Sequence, residues 1–525
     1  MTGKNRHNSY LNHAVRLVVW FLLCSLTCVG QSQPQTQAAA DTANSATALQ
    51  ELQSQVRELK QLVLQLQSET VDSHAEITRL RQEIETQRGN ATAAESTGLD
   101  EQSPGYSGST ATLEQRLEHV EEDQQLLSGK IDDQYQTKLE SASKYRIRFS
   151  GIVLFNLFGN SGSVDNLDVP TWAAKGMPGN SSGAVGATMR QSILGFEAFG
   201  PDFMGAHTSA NVNFDFGGGF PATSNGVNSG LVQLRTAAVR LDWKDTSVIA
   251  GQDQLFLSPL APTSFASLIV PPLSYSGELW AWTPQLRVEH RFELANDSRI
   301  TLQGAFLDPV TGEPPDDQHY TWYRAPNAGE QSRQPGYGLH VGYSLPMLGQ
   351  TLTVGAGGYY SRQNWGYDRM VNGWAGMLDA NLPLSHKFSL SAEAYRGAAI
   401  GGLGAALGRS VLFNGLLSDP TTNVVALNTV GGWGQLKFQA TPKLEFNGAF
   451  GLDNPFTADV RDFGDQALSY APSYITRNRA AFGNVIYRPR SDLVLALEYR
   501  RLRTFTIYDN SFEAGQINMS MGVLF

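Results

Sequence analysis

From residue 145 onward, apolar side chains alternate with polar or small ones in runs of about ten residues, broken by clusters of Gly, Asn, Asp and Pro. Period-two alternation of this length is what a strand needs when one face meets lipid and the other a watery lumen. Sixteen strands can be laid out: residues 145–158, 187–200, 207–217, 231–244, 247–258, 283–294, 298–308, 336–347, 351–364, 373–385, 388–401, 430–441, 443–455, 477–490, 493–508 and 515–525. Tight turns at 245–246, 295–297, 348–350, 386–387 and 491–492 interleave with long segments at 159–186, 259–282, 309–335, 402–429 and 456–476. Such alternation of short and long connections is the mark of a barrel with turns on one side of a membrane and loops on the other. The final strand (GQINMSMGVLF) stops on an aromatic, Phe525, as a closing strand does at the periplasmic interface. The expected fold class is an all-β transmembrane barrel of about sixteen antiparallel strands, preceded by a periplasmic α-helical coiled coil, with the barrel over residues 145–525.

The coiled coil is read from a different period. Leu49, Leu52, Val56, Leu59, Val63, Leu66, Thr70, Ser73, Ile77, Leu80 and Ile84 recur at spacings of three and four, with Gln, Glu, Lys and Arg between them. This places a coiled coil with flanking residues at 31–88. A linker rich in Gly, Ser, Thr and Ala follows at 89–112, then a second short coil at 113–144 through Leu113, Leu117, Val120, Gln124, Leu127 and Ile131. A narrow seam is buried by another helix, so the reading is self-association rather than capture of a foreign helix. Val and Ile at one seam position with Leu at the other favour two strands, whereas the barrel favours three; a homotrimer is expected.

Residues 1–30 read as a signal peptide: Lys4, Arg6 and Arg16 precede a thirteen-residue apolar run. That run is short for a retained membrane anchor. Cys28 lacks the leucine spacing of a lipoprotein signal. Both cysteines, Cys24 and Cys28, lie in this segment, so the exported chain has no thiol for a disulfide, a zinc site or a nucleophile. Mean hydropathy is slightly polar, and no later apolar run approaches a helical span, but a barrel hides its hydrophobicity in alternation.

Side-chain parity then sorts the strands. On the first, Ile147, Phe149, Val153 and Phe155 face lipid and Arg146, Arg148 and Ser150 the lumen. The same rule puts Asn211, Asn213, Asp215, Arg287, Glu289, Arg291, Glu293, Asp379, Asn381, Glu393, Gln435, Lys437, Gln439, Glu445, Asn447, Glu498 and Arg500 inside, a lumen expected to be charged and wet. Residues 31–144 hold 9 basic and 19 acidic residues and residues 145–525 hold 27 and 30, so the acidity belongs mostly to the helices. Arg477, Arg479, Arg488, Arg490, Arg500, Arg501 and Arg503 crowd two neighbouring strands. Facing acidic groups across a pore, they would set up a transverse field favouring anions. At strand ends, Arg488, Arg490, Arg501 and Arg503 would instead grip lipopolysaccharide phosphates or neighbouring carboxylates.

The successive strands MRQSILGFEA, NVNFDF, IAGQDQLFLSPLAPTSF and WTPQLRVEHRF resemble those of sixteen-stranded trimeric porins, above all the DcaP-like dicarboxylate porins and the phosphate-selective porins O and P. An Arg/Ser-rich second strand ending in Gly-aromatic-Glu and a Gly-Gln pair before the third loop carry the resemblance. It implies passive diffusion of small anions through a constriction set by an inward third loop and wall arginines. Carried over, the candidates are Gly251 and Gln252, the loop 259–282 with Glu278, and Arg190, Arg240, Arg287 and Arg291. The loop departs from the pattern in having no Lys or Arg, and no lysine run of a phosphate filter is present.

The expected function is an outer-membrane porin for small hydrophilic solutes, leaning to anions such as dicarboxylates or phosphate. Expected surroundings are outer-membrane lipid and lipopolysaccharide, with no nucleic acid and no cofactor or metal. Peptidoglycan or a periplasmic protein is a candidate contact of the coil. The alternative is an envelope tether with general pore activity. His207, His290, His319, His340 and His386 fall in no catalytic or metal motif. A trimeric adhesin would contribute only four strands per chain, and a TonB-dependent transporter would need a plug and about 22 strands.

Overall fold

The computed structural model describes residues 146–525 apart from 178, 180, 221–229, 314–323, 464–474 and 509. The signal peptide, both coils with their seam residues and the linker lie outside the described residues.

Alternation becomes pairing in the order expected. The strands are β1 (Arg146–Ser161), β2 (Gly183–Thr188), β3 (Ile193–Phe199), β4 (His207–Asp215), β5 (Gln233–Asp242), β6 (Thr246–Gln254), β7 (Trp282–Glu293), β8 (Arg299–Leu307), β9 (Gly336–Met347) and β10 (Gln350–Asn364). Then come β11 (Met370–Pro383), β12 (Phe388–Ala398), β13 (Val411–Phe413), β14 (Val424–Ala426), β15 (Asn428–Thr441), β16 (Leu444–Pro455), β17 (Ile475–Arg490), β18 (Leu493–Thr506) and β19 (Ser511–Leu524). β2 and β3 are two halves of one barrel strand, both pairing β1, and β13 and β14 form a separate hairpin within the segment 399–427. What remains is a closed, sixteen-strand antiparallel barrel.

Closure runs from Ile152 opposite Leu524 to Ser161 opposite Gly515. Phe525 completes it: its N–H donates to the Gly151 carbonyl at 3.1 Å and its carbonyl accepts from Gly151 at 2.9 Å. Tight turns gather at one end of the barrel. In the β9–β10 hairpin Leu348 (φ 55°) and Gly349 (φ 71°) both take the left-handed conformation that a two-residue turn between twisted strands demands.

The outer face follows the parity rule: Val153, Phe155 and Leu157 are exposed while Leu154, Asn156 and Phe158 are buried on the inside. Rings border this apolar belt. Phe388, Phe438 and Phe446 stack at 4.5 and 6.0 Å near the turn end, and Phe306, Tyr337 and Tyr360 meet at 5.7 and 6.4 Å nearer the loop end.

The inside departs from the expectation of a lumen that is charged and wet throughout. Leu255, Phe256, Leu257 and Leu279 pack on the inward Leu307, Tyr359, Met377 and Tyr395. Ala173 and Leu273 pack with Trp433, Phe482 and Leu502. The barrel's hydrophobic core therefore lies within it, where connecting segments press on apolar wall positions that the alternation hid among polar ones.

Candidate functional site

The segment between β6 and β7 folds inward and is tied to the wall across the lumen. Ser258 Oγ and Leu260 N donate to Glu393 at 2.5 and 2.8 Å, and Thr263 N to Gln435 at 2.6 Å. Ser264 Oγ donates to Glu498 at 2.6 Å, while Asn484 and Asn156 donate to the carbonyls of Thr263 and Phe265 at 2.8 and 2.9 Å. Gln191 binds both Ala266 O and Leu268 N, and Asn478 binds Tyr275 O. Inward Asn, Gln and Glu side chains thus satisfy loop backbone groups that would otherwise be buried bare. Four prolines, Pro259, Pro262, Pro271 and Pro272, stiffen the loop and remove donors it would have to satisfy. Gly251, at φ 146°, lets β6 approach β5 so closely that a Cβ would lie 2.2 Å from Ala237 O.

This loop encloses a chamber of about 210 Å³, room for about seven water molecules. Arg235, Trp280 and Trp282 line it together with loop serines and prolines. Trp172, Tyr275, Trp280 and Trp282 follow one another edge to face at 5.7, 6.3 and 5.6 Å. Arg235 sits 4.6 Å over the Trp282 ring, and its Nη1 donates to Asp215 at 2.8 Å and to Leu268 O at 2.6 Å. Its Nη2 has no hydrogen-bond partner among the described residues.

Arg235 escapes parity because a β-bulge inserts it: Asn213 faces Thr236 and Phe214 faces Leu234, with Arg235 left over. The signal in the sequence is Asp215, an inward carboxylate on the neighbouring strand. Gln252 serves the same irregularity. It does not reach into the lumen but donates to Leu234 O and Arg235 O at 3.1 and 2.9 Å, stapling the carbonyls that the bulge displaces.

The other expected residues fall into three groups. On the β5–β8 wall near the turn end, Arg240 binds Asp242 and Ser247, Arg291 binds Glu289 (2.7 Å) and Ser247, and Gln303 binds Glu289. Arg287 is buried against Asp253 (3.0 Å) and the Phe256 ring. Arg146 and Arg148 lie exposed at the turn end of β1 over Phe199, Arg148 facing Glu197 at 3.4 Å. Half-buried Lys437 has no ion pair among the described residues.

The second group lies beneath the loops instead of lining a channel. Arg500 is 2 % exposed, held by Glu498 at 2.9 Å and covered by Pro170 O at 3.5 Å. Arg190 stands at the break between β2 and β3 and pairs with Asp168 through two bonds of 2.5 and 2.6 Å. Asp168 and Pro170 belong to a second inward segment, 162–177, which sequence reasoning took for an external loop. Asp379 accepts His340 Nε2 at 2.8 Å across β10, where a Cβ at position 355 would lie 2.4 Å from the carboxylate, so Gly355 gives the contact its space. Glu278 is buried in the loop and accepts from Leu273 N at 2.9 Å; burial pushes its carboxyl well above the ordinary value.

The third group corrects the arginine wall. Asn478, Glu498 and Arg500 point inward, so by alternation Arg477, Arg479, Arg501 and Arg503 point outward. Arg488 is inward on Glu445 at 3.1 Å, and Arg490 is exposed on Asp492 at the turn.

No protein-family model matches the chain, and no curated protein matches it. Among solved structures, the outer membrane channel DcaP of Acinetobacter baumannii is similar over 73 % of this chain and 99 % of that one, at 15 % identity and a TM-score of 0.55. An anion-selective porin from Comamonas acidovorans aligns over 73 % and 100 % at 11 % identity and a TM-score of 0.43. OmpF of Salmonella typhi, in complex with daunomycin, aligns over 72 % and 98 % at 11 % identity and 0.44. At such identities the likeness to DcaP is one of fold, and the chain shares the barrel architecture of a solved outer-membrane channel.

Proposed function

We propose that this chain is an outer-membrane porin through which small hydrophilic solutes diffuse passively, with the tight turns in the periplasm and the long loops outside. The observation that carries the reading is the inward β6–β7 loop, fastened round the lumen and enclosing a chamber into which Arg235 offers a guanidinium edge. A chamber this small passes short solutes. The anion preference rests on Arg235: like Arg190, Arg240, Arg287, Arg291 and Arg500 it carries a carboxylate, Asp215, that cancels much of its field, but it alone of the six lines the chamber. Small dicarboxylates and phosphate fit both the size and the edge that Arg235 presents. The protein works as a homotrimer, with residues 31–144 as its periplasmic coiled coil.

Planar-bilayer recording on purified protein tests this. Stepwise conductance with a reversal potential favouring anions is expected, and Arg235→Gln should move that potential toward cations. An absence of steps would end the porin reading; an unmoved potential would return Arg235 to a purely structural role.

A further inference from the structure

We propose that the outer face of β17, β18 and β19 at the loop end binds the phosphate groups of a glycolipid in the outer leaflet. Four arginines point outward there. Arg477, Arg479 and Arg503 surround one ring, Phe505, at 5.4, 5.3 and 5.0 Å. Arg479 and Arg503 stand directly opposite each other on paired strands, a like-charge arrangement that costs stability unless an anion joins them. Among the described residues one carboxylate serves the group: Glu513 lies 2.7 Å from Arg501 and 3.3 Å from Arg503. Arg477 turns to the neutral Asn454 at 3.0 Å, and Arg479 Nε is buried with no hydrogen-bond partner among the described residues. Among the described residues, four guanidinium groups against one carboxylate leave a concentrated positive charge on this face.

The chemistry of the occupant follows from what lies beneath. Toward the turn end the same face is apolar, through Tyr499, Leu497 and Leu495 on β18 and Ile517, Met519 and Met521 on β19, all exposed. From Leu493 to Arg503 is about 33 Å of strand, or about 25 Å of height at the usual barrel tilt, which is the thickness of the apolar band of such barrels. The arginines therefore stand where acyl chains end and headgroups begin. Guanidinium forks bind phosphate oxygens in pairs, and a ligand carrying both phosphate and acyl chains matches the charged rim and the apolar strip together. Free phosphate would satisfy only the first.

Native mass spectrometry of the purified protein in mild detergent tests this with three probes: a bis-phosphorylated lipid A, the same lipid dephosphorylated, and inorganic phosphate. The wild type should retain the phosphorylated lipid, lose it by about tenfold or more for each of Arg479→Gln and Arg503→Gln, hold the dephosphorylated lipid at the level of the double variant, and be indifferent to equimolar inorganic phosphate. Equal retention of both lipids, or unchanged retention by the double variant, would overturn the proposal. Displacement by inorganic phosphate would overturn it in favour of a free-anion site. Unit conductance of the variants should stay at the wild-type value because these side chains face away from the lumen, which checks folding and separates this test from that of the pore. Should the variants fail to fold, the comparison of the two lipids on the wild type decides alone.

Discussion

Arg500 and Arg235 lie on the same inner surface, yet substitution should affect them in opposite ways. Arg500 and Glu498 form a buried pair, and removing one partner strands the other charge, at a cost of about 3–5 kcal/mol. Arg500→Ala should therefore lower the temperature at which the folded barrel loses its compact, fast-migrating form on a heated gel, while the reversal potential of the surviving channels stays put. A shifted potential at unchanged stability would place Arg500 at the pore after all. Sequence alone orders these two residues the other way round. Parity points Arg500 inward, as observed, but parity is blind to what covers an inward residue. It misses Arg235 because one extra residue in a strand inverts the count from that point on.

At the level of elements, the strands and the tight turns between them were legible and the course of the long loops was not. A strand of a closed barrel must alternate to satisfy lipid and interior at once, so all sixteen could be read from pattern, the break at Met189–Ser192 excepted. A loop carries no such constraint. The inward course of 255–281 depends on partners scattered from Asn156 to Ser520, too far apart in the chain to read as a set. Its pH response follows from Glu278. Because burial raises this carboxyl, the fold favours its neutral form. The loop is held fully below the ordinary glutamate range and loosens as pH rises through the raised value. Single-channel records should flicker more as the pH is raised from the acid to the alkaline range, and Glu278→Gln, which keeps the neutral shape, should stay quiet throughout. Flicker that rises with pH just as strongly in the variant would assign the effect to another group.

For the whole molecule, the division of charge matters more than its sum. Residues 31–144 hold most of the excess acid, while wall arginines inside the barrel sit on carboxylates, as Arg287 does on Asp253 and Arg291 on Glu289. Paired walls give weak selectivity, and in the proposed channel Arg235 is the arginine that lines the chamber. The barrel closes on itself through β1 and β19 and satisfies its own ladder without any help from residues 31–144. If the heptads there serve assembly, as proposed, deleting residues 31–144 behind the intact signal segment should leave a barrel of unchanged unit conductance. Association should suffer instead. Channels should insert singly where the full chain inserts in threes, and the oligomer should fall apart at a lower temperature on a semi-native gel. Retention of triple insertion and of the original melting temperature would mean that the barrels hold one another through their outer faces, and would free the coiled coil for a partner elsewhere in the envelope.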